Sequence, residues 1–248
     1  MTLRSSAFTW AWRFELIPIL RTQGLTAFYG DAQALFGIDF ELFTGELVAI
    51  IGANGAGKST FLKCLTGLIK TSSNAVFWKE QAIGGIAPGA IVRSGMTMVP
   101  EGRRLFPSLT VEENLLMGGN AHRHGPWDLA RIYKLFPILK EKKGLPSTSL
   151  SGGQQQMVAI GRALMSNPEV LLCDELSLGL APIVIKEIYS AMPEITDEGM
   201  TVVIVEQDVA MAKRVSKRLY CFQEGLVSLQ GHSESLTQEA ISQAYFGV

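Results

Sequence analysis

Gly52-Ala53-Asn54-Gly55-Ala56-Gly57-Lys58-Ser59, followed by Thr60, places spaced glycines ahead of a lysine and a hydroxyl. This is the pattern G-x-x-x-x-G-K-[ST], whose chemistry is the cradling of a polyphosphate. Its glycines let backbone N–H groups turn inward with no Cβ in the way, forming an anion nest at a helix N-terminus. The lysine reaches the β- and γ-phosphates, and the serine hydroxyl binds Mg²⁺. The bland alternative is a glycine-rich turn that binds nothing. The flanks argue against it, because Leu47–Ile51 is a short, partly β-branched apolar run suited to a buried strand. After the loop, Leu62, Leu65 and Ile69 recur at helical spacing. Strand, glycine loop and helix is the order the motif requires.

Two further stretches carry chemistry. In Leu150-Ser151-Gly152-Gly153-Gln154, Ser151 and Gln154 make an S-x-x-Q capping box ahead of a helix through Met157, Ile160 and Leu164. Its two glycines expose N–H groups at the positive end of the helix dipole, which is a second anion site. Alone, the stretch reads equally as a well-capped helix. Val170-Leu171-Leu172-Cys173 is an apolar strand ending in Asp174-Glu175, a carboxylate pair suited to holding a metal and polarising a water. The plainer reading of that pair is a helix N-cap.

The elements that position these residues alternate between periods. Thr201–Val205 is another continuous apolar run, and Met96–Val99 is a shorter one stopped by Pro100. Continuous apolar strands separated by helices predict a parallel sheet covered on both faces. Residues 71–95 read as loop-rich. Thr110-Val111-Glu112-Glu113 is a capping box, and single helices are predicted over about 128–142 and 183–198, the latter closed by Gly199. Leu219–Phe222 and Leu226–Leu229, joined through Glu224-Gly225, predict a hairpin. Trp10, Trp12, Phe14 and Leu16 alternate with Ala11, Arg13 and Glu15, so residues 1–17 read as a non-exported extension, an edge strand or a tail.

The 248 residues suffice for one domain or one domain with an insertion, and 22 basic against 23 acidic residues mark no general nucleic-acid binder. No apolar run approaches the ~18 residues that a membrane-spanning helix needs, so a soluble chain is expected. Cys64, Cys173 and Cys221 lack C-x-x-C spacing and argue for a reducing compartment. With only three histidines, a His-based metal centre is not expected.

Taken in order along the chain, the glycine loop, L-S-G-G-Q and the strand ending in Asp174-Glu175 resemble the Walker A, signature and Walker B motifs of the ATP-binding-cassette family. The resemblance spans about Ile19 to Val248. It implies an α/β, P-loop NTPase fold: a mixed core sheet with helices on both faces, an N-terminal antiparallel β part, and an α-helical subdomain inserted over about 102–165 of an 18–248 ATPase domain. It also implies ATP and Mg²⁺ as ligands. A second ATPase subunit, the same chain or a sister, would pair head to tail with this one.

Roles follow by matching position. Gly52, Ala53, Asn54, Gly55, Ala56, Gly57, Lys58, Ser59 and Thr60 would hold the phosphates of one ATP, and Ser151, Gly152, Gly153 and Gln154 those of the ATP held by the other chain. Tyr29 matches the aromatic that stacks on adenine; a core or turn tyrosine is the alternative. Ser59, Asp174 and Glu101 would surround Mg²⁺, and Glu175 would polarise the attacking water. Gln207 stands where the family's switch histidine reads the γ-phosphate, and Glu101 where it has glutamine. Leu176 and Ala181 replace the Pro and Asp usual in the loop over 177–182, which senses the opposite site. With V-P-E-G-R-R, T-V-E-E-N-L, I-G-R-A-L-M and S-L-G-L-A-P, these departures resemble an ATPase subunit of branched-chain amino-acid uptake systems.

That branch implies transmembrane permease subunits as partners, and through them a periplasmic or extracellular solute-binding protein, with no nucleic acid. The chain would be cytoplasmic, peripheral on the inner face of the cell membrane. Leu105, Phe106 and Pro107 are the candidate docking cluster; ordinary subdomain packing is the alternative. Cargo stays open among branched-chain amino acids, amides, urea and aromatic acids. Two other classes are a nucleotide-gated protein with weak hydrolysis, to which Gln207 and Glu101 would point, and a cassette acting on DNA or ribosomes. The balanced charge and the lack of a long coiled-coil insertion speak against the last.

Overall fold

A computed structural model describes residues 17–247, so the extension expected at the N-terminus lies outside the described residues except for Ile17. Strands β1 (Leu20–Tyr29), β2 (Ala32–Leu42), β4 (Val76–Trp78) and β5 (Gln81–Ala82) form an antiparallel sheet in the order β2-β1-β4-β5. The second sheet takes β3 (Leu47–Ile51), β6 (Met96–Val99), β7 (Val170–Asp174), β8 (Thr201–Glu206), β9 (Arg218–Gln223) and β10 (Leu226–His232) in the order β10-β9-β3-β8-β7-β6. Its pairings are parallel except for the β9–β10 hairpin, so the sheet is mixed as expected.

Both faces of the parallel strands are buried, and successive residues enter different cores, as the period of two requires. Val48, Ile50, Leu172, Val203 and Val205 point towards α1 (Lys58–Leu65), α2 (Pro88–Ser94) and the antiparallel sheet. Leu47, Ala49, Ile51, Leu171, Cys173, Val202 and Ile204 point into the opposite core. That core is shared with α3 (Val111–Leu116), α4 (Leu129–Leu135), α5 (Pro137–Glu141) and α6 (Gly152–Leu164). It also takes in α7 (Pro182–Ser190), α8 (Met192–Asp197), α9 (Val209–Val215) and α10 (Gln238–Phe246).

The capping boxes form as read: Thr110 Oγ1 accepts from Glu113 N at 3.2 Å, and Ser151 Oγ from Gln154 N at 3.4 Å. Two helices expected to be continuous are split. Phe136 separates α4 from α5 because Pro137 has no N–H and restricts the residue before it. Pro193 likewise stands in the first turn of α8, so the span over 183–198 becomes two helices, with Ala191 between them. Residues 71–95, read as loop, hold β4, β5 and α2, each too short to give a periodic signal.

Phe61 anchors the phosphate-loop helix to this frame. Its ring meets Phe40 of β2 at 5.2 Å and Phe222 of β9 at 5.3 Å, both edge-on. Truncating a fully buried aromatic costs about 3–5 kcal/mol. Phe61→Ala should lose that much stability in chemical denaturation; a loss below 1 kcal/mol would show that α1 is held by other contacts.

Candidate functional site

The four parallel strands β3, β8, β7 and β6 end at one level. Ile51 is opposite Glu206, Val205 opposite Asp174, and Cys173 opposite Val99. The turns that follow them therefore converge, as ligand sites of open α/β sheets do at strand C-terminal ends.

The glycine loop leaves β3 under two tight constraints. A Cβ on Gly52, whose φ is +151°, would sit 2.3 Å from the Phe222 carbonyl oxygen; one on Gly57, at φ +100°, would sit 2.7 Å from Leu35 Cδ2. Gly57 also caps α1 with no side-chain bond, and the first turn holds no acidic residue. The amides at this helix start are thus presented to an external anion and not to a carboxylate of the chain.

Lys58 is buried, and its ammonium donates to the carbonyls of Gly52 at 2.7 Å and Ala53 at 3.0 Å. Glu175 Oε1 lies 3.9 Å away. Burial lowers the lysine pKa, while the carboxylates of Glu175 and Asp174 pull it back up. Ser59 Oγ donates to Asp174 Oδ1 at 2.9 Å. Burial raises the Asp174 pKa, and the Ser59 bond opposes that rise. A hydroxyl and a carboxylate this close are the hard oxygen donors that suit Mg²⁺, so the residues present fit that ion.

Glu175 has φ +51°, a left-handed conformation uncommon for a residue with a Cβ. Its backbone N–H donates to Val205 O at 3.0 Å, and its Oε2 accepts from Gln207 Nε2 at 2.9 Å. Glu101 is exposed and lines a cleft of about 320 Å³ with Lys58, Ser59, Glu175 and Gln207. Tyr29 is half exposed, which removes the core alternative, and its hydroxyl lies 3.2 Å from Thr60 Oγ1. The structure thus gathers Tyr29, the glycine loop, Glu101, Asp174, Glu175 and Gln207.

Ser151–Gln154 is not among them. The position of a Cβ on Gly152 falls near Arg103 and Leu180, and Gln154 bonds Ser151 and Lys142. The start of α6 does not line the cleft that holds Lys58.

Two further charged residues, one beside Gln207 and one supporting the loop after Glu101, escaped the motif reading. Glu206 ends β8 as a buried carboxylate beside Gln207. Arg162 of α6 donates to the carbonyls of Arg103 at 2.9 Å and Arg104 at 2.8 Å, both in left-handed backbone. Their signal in the sequence is a lone charge in an otherwise apolar run.

Comparison with known proteins agrees with this geometry. Residues 35–177 match the family model described as ABC transporter. The chain is 41% identical over 226 residues to the high-affinity branched-chain amino acid transport ATP-binding protein BraG of Pseudomonas aeruginosa, covering 90% of this chain and 97% of that protein. It resembles a nucleotide-free ATP-binding cassette from an ABC transporter with a TM-score of 0.76 at 28% identity, over 92% and 95% of the two chains. A dimeric bacterial ABC transporter cassette gives a TM-score of 0.77 at 25% identity, over 88% and 100%.

The electrostatics of Asp174 are measurable. A carboxyl whose pKa is raised on folding binds its proton more readily folded than unfolded. Ionisation therefore weakens the fold as pH climbs through the ordinary carboxylate range towards the raised value. Asp174→Asn keeps an oxygen for Ser59 and removes that penalty. It should raise Tm at pH 7. The gain should shrink near pH 4. A lower Tm at both pH values would mean that the charged form stabilises the fold.

Proposed function

Because the chain belongs to the ABC transporter family, we propose that it is the ATP-hydrolysing subunit of an importer for branched-chain amino acids or related small polar solutes. The observation that carries this reading is the gathering of Lys58, Ser59, Asp174, Glu175 and Gln207 at the ends of adjacent parallel strands. The cargo follows BraG, whose name gives branched-chain amino acid transport.

The glycine-loop amides and the start of α1 grip the β- and γ-phosphates, and Tyr29 stacks on the base. Lys58 exchanges its neutral carbonyl partners for phosphate oxygens, which form stronger, charge-assisted bonds. Ser59 and Asp174, with Glu101 nearby, would hold Mg²⁺, which would supply neutralisation of charge on the phosphate oxygens. Glu175 takes a proton from the attacking water. Gln207 orients Glu175 and donates to the γ-phosphate; unlike histidine, it does not titrate near neutral pH.

One chain supplies only part of this site. The capped start of α6 is a second phosphate-facing helix end, and a second chain arranged head to tail brings it to the nucleotide of the first, in an isologous dimer. Such pairing is in keeping with the dimeric cassette to which the fold is similar. Among the described residues no helix is long and apolar enough to cross a membrane, so the pore is assigned to separate permease subunits. A groove of about 430 Å³ lined by Val92, Met98, Phe106, Met117 and Ala159 is their docking surface. Phe106 is 44% exposed there, while Leu105 packs against the core.

Three variants test the reading. Lys58→Ala should weaken ATP binding about 10- to 100-fold in calorimetry, the worth of a lost charged hydrogen bond. Glu175→Gln should retain ATP while phosphate release falls at least ~100-fold. Near-normal turnover in Glu175→Gln would remove that residue from its role. Phe106→Asp should abolish transport in the assembled importer and leave the ATPase rate of the isolated subunit within about twofold. Unimpaired uptake would move the docking surface elsewhere.

A further inference from the structure

Glu206 is 1% exposed, and three donors from two segments hold its carboxylate. Ser177 donates twice, from its backbone N–H to Oε1 at 3.3 Å and from its hydroxyl to Oε2 at 2.5 Å. The Tyr189 hydroxyl of α7 donates to Oε1 as well. Burial raises the Glu206 pKa and these bonds oppose the rise; the Tyr189 hydroxyl, buried against the same carboxylate, is raised strongly. A carboxylate is costly to place here, and an apolar residue would suit a fully buried strand better.

Its position explains what it does. Val205, Glu206 and Gln207 each hold one point of the segment over 175–177. Val205 O accepts the Glu175 N–H, Glu206 takes both donors of Ser177, and Gln207 grips the Glu175 carboxylate. Between the first and second of these contacts lies the left-handed turn at Glu175. Such a backbone persists only where its surroundings over-determine it. Leu176 has no ring to fix its φ; its side chain is buried in the core, and the polar anchorage of the turn comes from β8 and the residue after it.

We propose that Glu206 is a positioning residue for hydrolysis: by pinning Ser177 it holds the backbone turn that aims the Glu175 carboxylate along Lys58. This rests on the hydrolase reading above. The same pin sets the start of the loop over 177–182, so one buried carboxylate orients both the base and the segment leading into α7.

The test is kinetic, on the full-length chain with Mg²⁺ and ATP. Glu206→Gln and Ser177→Ala should each lower kcat about tenfold or more and leave ATP affinity within about threefold, since only the reacting geometry is disturbed. The double variant should be no slower than the more severe single, because the two residues act as a unit. Added to Glu175→Gln, Glu206→Gln should change the residual rate less than twofold, with no base left to position; a packing role would slow both backgrounds equally. Folded single variants with kcat within twofold of the unaltered protein overturn the proposal, as does an equal drop in both backgrounds. Should Glu206→Gln not fold, Ser177→Ala decides alone by the same comparisons. Absence of turnover in the unaltered protein overturns the hydrolase reading and this proposal together; turnover retained in the variants overturns this proposal alone.

Discussion

The common register of four parallel strands is the constraint on which the site depends. A one-residue slip of β7 against β8 would exchange the faces of every side chain on it. Leu171 and Cys173 would then point towards α1, and Leu172 towards the helices on the other face. Both faces are closely packed, so each opposes such a slip. The chemistry gains from this rigidity: Asp174 ends its strand, and Glu175, Gln207 and the glycine loop sit on turns that leave the sheet at one height. The strands need no catalytic side chains in their interiors. Their packing sets where the turns begin.

Electrostatics at those turns works against stability. Lys58, Asp174 and Glu206 are all almost fully buried, and burial moves each pKa towards the neutral form. Their compensation is local: carbonyls and Glu175 for Lys58, Ser59 for Asp174, Ser177 and Tyr189 for Glu206. Similar groups on the surface would be better solvated but poorly placed to act on a phosphate. Backbone strain at Glu175 fits the same pattern, with an unfavourable local conformation held by the surrounding fold.

The loop after β6 ties the site to the rest of the molecule. Glu101 faces the phosphate cleft, Phe106 faces the apolar groove, and the carbonyls of Arg103 and Arg104 between them are gripped by Arg162 of α6. That helix begins at Gly152, capped by Ser151. Asn114 of α3 closes the loop further on, bonding the Phe106 N–H and carbonyl at 2.9 and 3.1 Å. The loop that lines both the phosphate cleft and the apolar groove is thus tied to α3 and α6 by side-chain hydrogen bonds.

Local residue spacing was enough to identify the ligand class, because a glycine loop with Lys58 and Ser59 has one chemistry and its strand and helix flanks are local. It also determined the buried strands and the caps of α3 and α6, each of which depends on neighbours within a few residues. The helix breaks at Phe136 and Ala191 were written in the same local way, by Pro137 and Pro193, but apolar periodicity running through both prolines hid them. Which carboxylate meets which donor depends on long-range packing. Glu206 against Ser177 and Tyr189, Arg162 against two loop carbonyls, and Tyr29 beside Thr60 are contacts between residues far apart in the chain. The separation of α6 from the phosphate cleft is likewise set by helix packing. No residue spacing encodes such distances, which arise when sheet register and core packing fold the chain back on itself.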